Sequence, residues 1–496
     1  MPLKSDKPGL VREMGLLGLA ATGICSMLGA GINVVPFMIQ RSVPGIGPHV
    51  VGAFAVAAIP ALLAALAYAV LASAMPRAGG SYVFASRTLS PYWGFVASFS
   101  QWFGLSIVIG VVSYLVIPFL RDIAQALSWD AVAVGLEGGV VRVSLALALV
   151  WLFVYVNIRG ARFYERTLIP LMWVMFALGG IVIVAGFSYD HADFARAVAA
   201  HSGEAIQIVE APELGWRPQV AAVAILFASF IGFDSIAQAG GEARNPQRNL
   251  PLAIGISILS VGAFYLLFTA AVYHAVPWWY IAAKAVDSDL TAPGLLGQLL
   301  APGWTVAIVA GAAVALINDI PAMLLSVSRL VFAWAQDGVF PARLARVHSR
   351  WHTPHLAIFA SGLMASLGIL GSHLAGDFFL GIDILVTSML VNFLLMCLAV
   401  LRLPRAQPEL DAGRRLPLGS RSRWWCALAG AILLGFLLAV HIGKDLGADG
   451  PIWYLRSTPV WLAVMALGCG IFWFEMAALR RSGVDVERLF RELPKA

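Results

Sequence analysis

The sequence contains little charge. Of its 496 residues only 12% are Asp, Glu, Lys or Arg, whereas 60% are hydrophobic, and the mean hydropathy is +0.83. A soluble fold of this size with so few charged residues would leave far too much apolar surface facing water. The composition therefore excludes an ordinary soluble domain and predicts a protein that crosses a membrane several times.

Cysteine is scarce, and the common catalytic motifs are missing. The four cysteines lie in or beside apolar runs and form no C-x-x-C pair, so neither a disulfide framework nor a zinc site is indicated. The chain has no G-x-x-x-x-G-K-[ST] phosphate loop, no G-x-S-x-G elbow and no H-E-x-x-H helix. We therefore expect no enzyme activity, no cofactor and no structural metal.

The remaining residues form long apolar runs that are separated by short connections. A helix needs about 20 residues to cross the hydrocarbon of a bilayer, and twelve runs qualify, which predicts an all-α polytopic membrane protein. Their approximate spans are 13–39, 47–75, 92–120, 141–158, 167–187, 218–240, 250–276, 303–335, 355–372, 377–401, 424–441 and 458–479.

The basic residues indicate topology rather than nucleic-acid binding. The net charge is +6, but Lys and Arg recur in short groups between the apolar runs instead of gathering on one arm. With the N-terminus inside, 25 of the 33 lysines and arginines fall on the cytoplasmic side. We therefore predict a multi-pass protein of the plasma membrane with both termini in the cytoplasm.

The first apolar run is interrupted in its middle. Gly29 and Gly31, followed by Pro36, make a continuous helix unfavourable, because glycine has low helix propensity and proline removes a backbone donor. Unwound backbone at bilayer depth is tolerated only where protein buries it or where it lines a wet cavity. We therefore predict a broken helix with a polar site at the break.

The sixth run carries a second interruption, over Ala228–Asp234. It places Ser229, Gly232 and the carboxylate of Asp234 where a lipid-facing helix carries only apolar side chains. The two interrupted runs open successive groups of five spans, and an odd number of crossings turns the second group upside down. Inverted repeats with a broken helix in each half are typical of membrane transporters with a midplane site.

Six short motifs, in this order along the chain, resemble the amino acid–polyamine–organocation (APC) permease family. They are Gly29–Ile32, Pro76–Tyr82, Phe230–Asp234, Asn245–Pro251, Ser328–Leu330 and Asp337–Pro341. The resemblance covers nearly the whole chain. It implies the leucine-transporter fold, with ten core helices in two inverted halves plus two peripheral helices, and transport by alternating access.

With that fold, the chain divides into seven consecutive segments. They are a cytoplasmic N-terminus (1–12), the first repeat (13–187), an extracellular loop (188–217), the second repeat (218–401), a cytoplasmic linker (402–423), the peripheral helices (424–479) and a cytoplasmic C-terminus (480–496). We expect the extracellular loop to be solvated, with a short interfacial helix, rather than a binding lid.

The family resemblance also implies where a substrate binds. Backbone N–H groups at the first break would attract an α-carboxylate, and carbonyls at the second break would accept hydrogen bonds from an α-ammonium. The implied lining residues are Ser26, Gly29, Ala30, Gly31, Ile32, Ala228, Ser229, Ile231 and Gly232, together with Met323 on the same face of the eighth run as Asp319.

Three polar side chains are candidates for coupling or gating. Asp234 falls where related exchangers carry an acidic residue, and Asn318 and Asp319 interrupt the apolar eighth run. Asp319 is expected to carry a proton, to bind sodium with carbonyls near Cys25 and Leu28, or to pair with a cationic substrate. A structural carboxylate at the bend imposed by Pro321 is the alternative.

These features predict a secondary active transporter of amino acids or related amines, coupled to protons or sodium. The expected partners are the small-molecule substrate, the coupling ion and the lipid bilayer, without nucleic acid. Two alternatives stay open: an amino acid or polyamine exchanger without ion coupling, and a transporter-like amino acid sensor.

Overall fold

The computed structural model describes residues 9–202, 213, 215–288, 290–375, 378–416, 418–447 and 453–494. The predicted terminal segments, extracellular loop and linker therefore lie partly outside the described residues. The helices, in chain order, are α1 (Leu16–Met27), α2 (Ala30–Asn33), α3 (Val35–Ser42), α4 (Val50–Ala74), α5 (Gly80–Thr88), α6 (Pro91–Ala126), α7 (Asp130–Glu137), α8 (Gly139–Ile158), α9 (Ala161–Ser188), α10 (His191–Ser202), α11 (Trp216–Leu226), α12 (Ser235–Gln238), α13 (Pro246–Ala275), α14 (Trp278–Asp287), α15 (Ala292–Leu296), α16 (Pro302–Gln336), α17 (His355–Ala375), α18 (Phe378–Ala406), α19 (Pro408–Ala412), α20 (Ser420–Gly447), α21 (Ser457–Arg481) and α22 (Val486–Arg491).

All twelve predicted apolar runs are helical, which confirms the predicted fold class. In the described residues, eleven helices are long and apolar enough to cross a membrane, and α1 is a shorter apolar helix that belongs to the first run. Helices in the connections, such as α5 and α14, were not predicted. The segment predicted as the extracellular loop contains the short helix α10, whose interfacial position stays a prediction, while residues 203–212 and 214 of that segment lie outside the described residues.

The first run is broken at its glycines, as predicted. Helix α1 ends at Met27, and α2 begins at Ala30, so that Leu28 and Gly29 lie between two helical segments. The amide of Asn33 donates to the Gly29 carbonyl over 3.3 Å, which satisfies one of the backbone acceptors that the break frees. The segments α1–α3 together form the first broken helix.

The second predicted break is also present. After α11, a 3-10 turn covers Phe227–Phe230, Ile231 is extended, and Gly232 has φ of +140°. A Cβ atom on Gly232 would lie 2.4 Å from the Ser26 carbonyl oxygen. Glycine is therefore required both for the backbone angle and for the close approach of the two breaks. The segments from α11 to α12 form the second broken helix.

The long helices divide into a core and a periphery. In their most apolar windows, 83% of α16 and 78% of α18 are buried, against 28% of α20 and 22% of α21. Large apolar side chains such as Leu467 and Phe474 on α21 remain exposed, on a surface that lipid would cover. The last two spans therefore lie at the outside of the described bundle, as do α8 and α9, whose windows are each 28% buried.

Both ends of the described chain lie on one face, which we call the terminal face. The Arg77 guanidinium donates from Nε to the Pro494 carbonyl over 2.9 Å, and the backbone of Met14 bonds to that of Glu242 over 2.9 Å. An even number of membrane crossings places the two ends of a chain on the same side, which agrees with these contacts.

Two buried ion pairs hold the helices together near the terminal face. Arg87 on α5 contacts Asp337 through two bonds of 2.5 and 3.0 Å, and Arg329 on α16 donates to Glu242 over 2.8 Å. Tertiary packing therefore brings Arg329 to Glu242 from 87 residues away in the chain.

Candidate functional site

The two breaks face each other across a cavity of about 500 Å³, which we call the central cavity. The Ser229 hydroxyl donates to the Gly31 carbonyl over 3.1 Å, which ties the second break to the first. Tyr265 on α13 donates its hydroxyl hydrogen to the Met27 carbonyl and so occupies an acceptor at the end of α1. The predicted opposition of the two broken helices is therefore present.

Six of the ten predicted substrate residues line the central cavity. They are Ser26, Gly31, Ala228, Ser229, Ile231 and Met323. The remaining lining consists of Asp319 and an apolar wall. This wall, which we call the valine wall, contains Val35, Val108, Val111, Val112, Ile382 and Leu385, while Met27 completes the lining. The cavity therefore has a polar side at the breaks and an apolar side formed by α6 and α18, with Val35 from α3.

The other four predicted substrate residues are not in this lining. Gly29 lies against the Asp319 side chain, and Gly232 lies against the Ser26 carbonyl, so that both glycines permit close packing. Ile32 lines a second cavity of about 310 Å³ together with Leu28. The side chain of Ala30 is outside what the structure describes. Their contact with substrate stays a prediction.

Asp319 is the single acidic residue among the lining residues of the central cavity, and no basic residue accompanies it. Its side chain is only 3% exposed, and Oδ1 is buried without a hydrogen-bond partner in the described part of the chain. A buried carboxylate without a partner is costly, since burial removes the hydration of its charge. Asp319 therefore offers a strong acceptor to a cation, a proton or an amino group.

Asn318, the neighbour of Asp319, turns away from this cavity. Its amide nitrogen donates to the Cys25 sulfur over 2.9 Å and approaches the Leu168 carbonyl at 3.4 Å, which joins α16 to α1 and α9. The predicted cation site near Cys25, Leu28 and Asp319 is thus divided: Cys25 contacts Asn318, and Leu28 faces the second cavity. A cation at these three residues stays a prediction.

Asp234 has a different environment although it is equally buried. Its Oδ2 accepts a hydrogen bond from Gln101 on α6 over 2.5 Å, and its Oδ1 accepts one from the Gly232 backbone over 3.0 Å. Gln101 in turn accepts from Ser81 over 2.5 Å and from Gln238 over 3.2 Å. The Asp234 carboxylate is therefore satisfied by neutral donors, and it does not line the central cavity.

Comparison with known proteins decides the family. A family model described as "amino acid permease" matches residues 14–472, which is nearly the whole chain. The chain belongs to the amino acid permease family. It is a multi-pass membrane transport protein of this family rather than an enzyme.

Several characterised proteins are similar to this permease over most of its length. The branched-chain amino acid permease BcaP of Bacillus subtilis is 26% identical over 83% of this chain and 85% of its own. Human cationic amino acid transporter 4 is 28% identical over 82% of this chain, which spans only 62% of that protein. The low-affinity putrescine importer PlaP of Escherichia coli is 25% identical over 70% of each chain.

Sequence reasoning missed two parts of this permease site. Gln101 bonds to Asp234 and is itself held by Ser81, and the amide of Gln101 within an apolar run was the signal that would have found it. Three of the four valines of the valine wall lie at helical spacing on α6, but the same spacing is typical of ordinary core packing. No local pattern distinguishes a residue that faces a cavity from one that faces another helix.

Proposed function

We propose that this permease is a secondary active transporter of amino acids or related amines, that it works by alternating access, and that Asp319 binds the coupling cation. The observation that carries the proposal is the unpartnered, buried Asp319 carboxylate in a cavity between two broken helices. A carboxylate in this position needs a cation or a proton in at least one step of the cycle.

The two sides of the central cavity suit a substrate with an amino group and an apolar portion. The opposed breaks line one side of the cavity with Ser26, Gly31 and Ser229, and the valine wall lines the other side. The three relatives named above carry, by their names, branched-chain amino acids, cationic amino acids and putrescine. Each of these compounds contains a protonated amino group, for which carbonyl and carboxylate oxygens are suitable acceptors.

The proposed orientation places the terminal face in the cytoplasm of a plasma-membrane protein, in agreement with the Lys and Arg distribution. Arg329 follows Asp319 by ten residues on α16, which corresponds to about 15 Å along the helix axis toward that face. The Arg329–Glu242 and Arg87–Asp337 pairs therefore close the route from the central cavity to the terminal face. Alternating access requires this layer to separate when substrate leaves.

Exchange without ion coupling is the second candidate, and the same cavity supports it. Asp319 lines the space that substrate would occupy, so its carboxylate is also placed to accept the substrate's own amino group. In that case substrate would replace the coupling ion at Asp319. The two candidates differ in whether binding survives when the charge is removed.

The test is Asp319→Asn in liposomes, because asparagine keeps the shape and removes the charge. Uptake of labelled amino acids and amines is measured with an imposed proton or sodium gradient, and exchange is measured without a gradient. With ion coupling, the variant still binds and exchanges substrate but loses gradient-driven accumulation. Asp122→Asn is the matched control, since Asp122 contacts Arg121 at 2.7 Å and is distant in sequence from the breaks.

The remaining outcomes are equally informative. Loss of all binding in Asp319→Asn would assign the carboxylate to the substrate's amino group and favour exchange. Accumulation equal to that of the parent would make Asp319 structural, and the coupling site would have to be sought at Asp234. A parent protein that binds substrate but transports none in liposomes would favour the sensor alternative.

A further inference from the structure

The terminal face contains a cavity of about 770 Å³ that lies outside the transport site, and we call it the arginine cavity. Four guanidinium groups line it, and each comes from a different part of the chain. They are Arg12 before α1, Arg77 after α4, Arg248 in the first turn of α13, and Arg415 in the linker after α19. Leu410 and Leu493 complete the walls on the linker and on the C-terminal segment.

Among the described residues, no carboxylate lines the arginine cavity, and none of its four arginines forms an ion pair. Two acidic residues nearby in sequence are already engaged elsewhere. Asp411 contacts Arg414 at 3.1 Å and also pairs with Arg423, and Glu492 contacts Arg488 at 3.0 Å. The positive charge of the cavity is therefore not neutralised by the part of the chain that the structure describes.

A neighbouring cavity on the same face shows that this arrangement is not general. That cavity, of about 550 Å³, is lined by Arg159, Arg162 and Arg350, but also by Glu13 and Glu242. The preference of basic residues for the cytoplasmic side explains arginines on both surfaces. It does not explain why four arginines from four segments converge in one concavity without an acid.

Arg77 shows the electrostatic cost of this convergence. Its side chain is half-buried, and Nε donates to the Pro494 carbonyl over 2.9 Å, which fixes the guanidinium in place. Burial, and secondly the nearby Arg12 guanidinium, lower the pKa of Arg77 below its ordinary value. An anion in the cavity would relieve this repulsion between like charges.

We propose that the arginine cavity binds a phosphate group, either of an anionic lipid headgroup or of a soluble phosphorylated compound. Arginine presents planar pairs of N–H donors that match phosphate oxygens, and several guanidiniums can share one phosphate. The volume leaves room for more than the phosphate itself, and the two leucines provide apolar contact for the rest of the ligand. Basic pockets at the cytoplasmic ends of membrane helices recognise lipid headgroups through the same contacts.

Such a ligand would add to the polar contacts that already join these segments, in which the Ser73 hydroxyl donates to the Gln247 carbonyl over 3.1 Å and accepts from the Arg415 backbone over 3.0 Å. Arg248 belongs to the first turn of α13, which directly follows the second broken helix, and Arg415 belongs to the linker that leads to the peripheral helices. A phosphate held between them would fix the start of α13 relative to the linker. This inference is independent of the substrate and of the coupling ion.

The experiment compares the full-length parent with the double variant Arg248→Gln, Arg415→Gln, in which both altered side chains are exposed. In nanodiscs, the probes are pure phosphatidylcholine and phosphatidylcholine mixed with phosphatidylglycerol; in detergent, the probes are inorganic phosphate and glycerol 3-phosphate. Thermal unfolding measures stabilisation, and native mass spectrometry counts retained phosphatidylglycerol. The matched control is Arg343→Gln, Arg346→Gln, which removes two exposed charges from the same face.

We expect the parent and the control to retain the phosphate-bearing probe. The double variant should bind it with an affinity that is lower by about tenfold or more. Stabilisation by glycerol 3-phosphate in detergent would identify a soluble ligand, whereas an effect of phosphatidylglycerol alone would identify a lipid headgroup. Equal retention by parent and double variant, or no stabilisation of the parent by any probe, would overturn the proposal. The parent's salt dependence gives a second measurement that needs no variant, because binding to four guanidiniums must weaken as salt rises.

Discussion

Replacing Gly29 by alanine is the sharpest structural test of the Asp319 environment. A Cβ atom at position 29 would lie 2.3 Å from Asp319 Oδ2 and 3.0 Å from its Cγ, whereas ordinary contact begins at 3.4 Å. The carboxylate oxygen would have to move by about 1 Å, and rotation of the side chain is cheaper than movement of two helices. We therefore expect Gly29→Ala to displace the carboxylate rather than to unfold the protein.

Gly29→Ala should change both the stability and the transport activity, and the size of each effect follows from the displaced carboxylate. Overpacking of this size costs about 1–3 kcal/mol of unfolding free energy. A displacement of about 1 Å exceeds the tolerance of roughly 0.2 Å for a coordinated cation, so accumulation should fall about tenfold or more. Thermal unfolding measures the first effect, and gradient-driven uptake in liposomes measures the second.

A double-mutant cycle separates this clash from a general effect of the new methyl group. In an Asp319→Ala background the oxygen that collides is absent, so Gly29→Ala should cost almost no stability. Gly255→Ala, inside α13, is the control, since a Cβ atom at position 255 would have no neighbour within 4 Å. Displacement of the Asp319 carboxylate would be refuted if Gly29→Ala accumulates substrate as well as the parent does. It would also be refuted if Gly29→Ala lowers the free energy of unfolding equally in both backgrounds.

Three further substitutions test the site and its closure. Gly31→Leu should abolish substrate binding without loss of the folded state, because it fills the lining between the breaks; undiminished binding in a thermal-shift assay would place the substrate elsewhere. Gly232→Ala should lower the free energy of unfolding by about 2 kcal/mol or more, since φ is +140° and the Cβ atom would meet the Ser26 backbone. An unchanged denaturation midpoint would contradict this. Glu242→Ala should lower the free energy of unfolding by about 3–5 kcal/mol, because it leaves Arg329 buried and unpaired. If the equilibrium unfolding curve of the purified variant matches that of the parent, water compensates the charge.

The membrane spans and both helix breaks were predictable because their signals are local. Twenty apolar residues in a row, and glycine or a carboxylate in the middle of such a run, depend on nothing outside the run. Gly232 shows the limit of this reasoning. The sequence predicted it as part of the break, but the contact that requires glycine is the Ser26 carbonyl, more than 200 positions away in the chain.

The central cavity could be predicted only in part for the same reason. The side at the breaks, with Gly31 and Ser229, follows from the interrupted runs. Apart from Val35 on α3, the valine wall comes from α6 and α18, where apolar residues occur at every turn and only the packing decides which of them faces the cavity. Helix α5 was not predicted, and its placement beside α6 is what brings Ser81 to Gln101.

Asp319 and Asp234 are both buried aspartates, but their surroundings differ. Asp234 has a hydrogen bond to each oxygen, and one donor, Gln101, belongs to another helix, so any motion of the second broken helix away from α6 must break that bond. Asp319 has a buried oxygen without a partner and opens into the central cavity, so it can gain a partner without moving a helix. We infer that Asp319 responds to the occupant of the cavity and that Asp234 responds to the position of the break. In the proposed cycle both responses occur, so a cation or amino group at Asp319 and the Gln101–Asp234 bond are expected to be linked through the short backbone that joins Ser229 to Asp234.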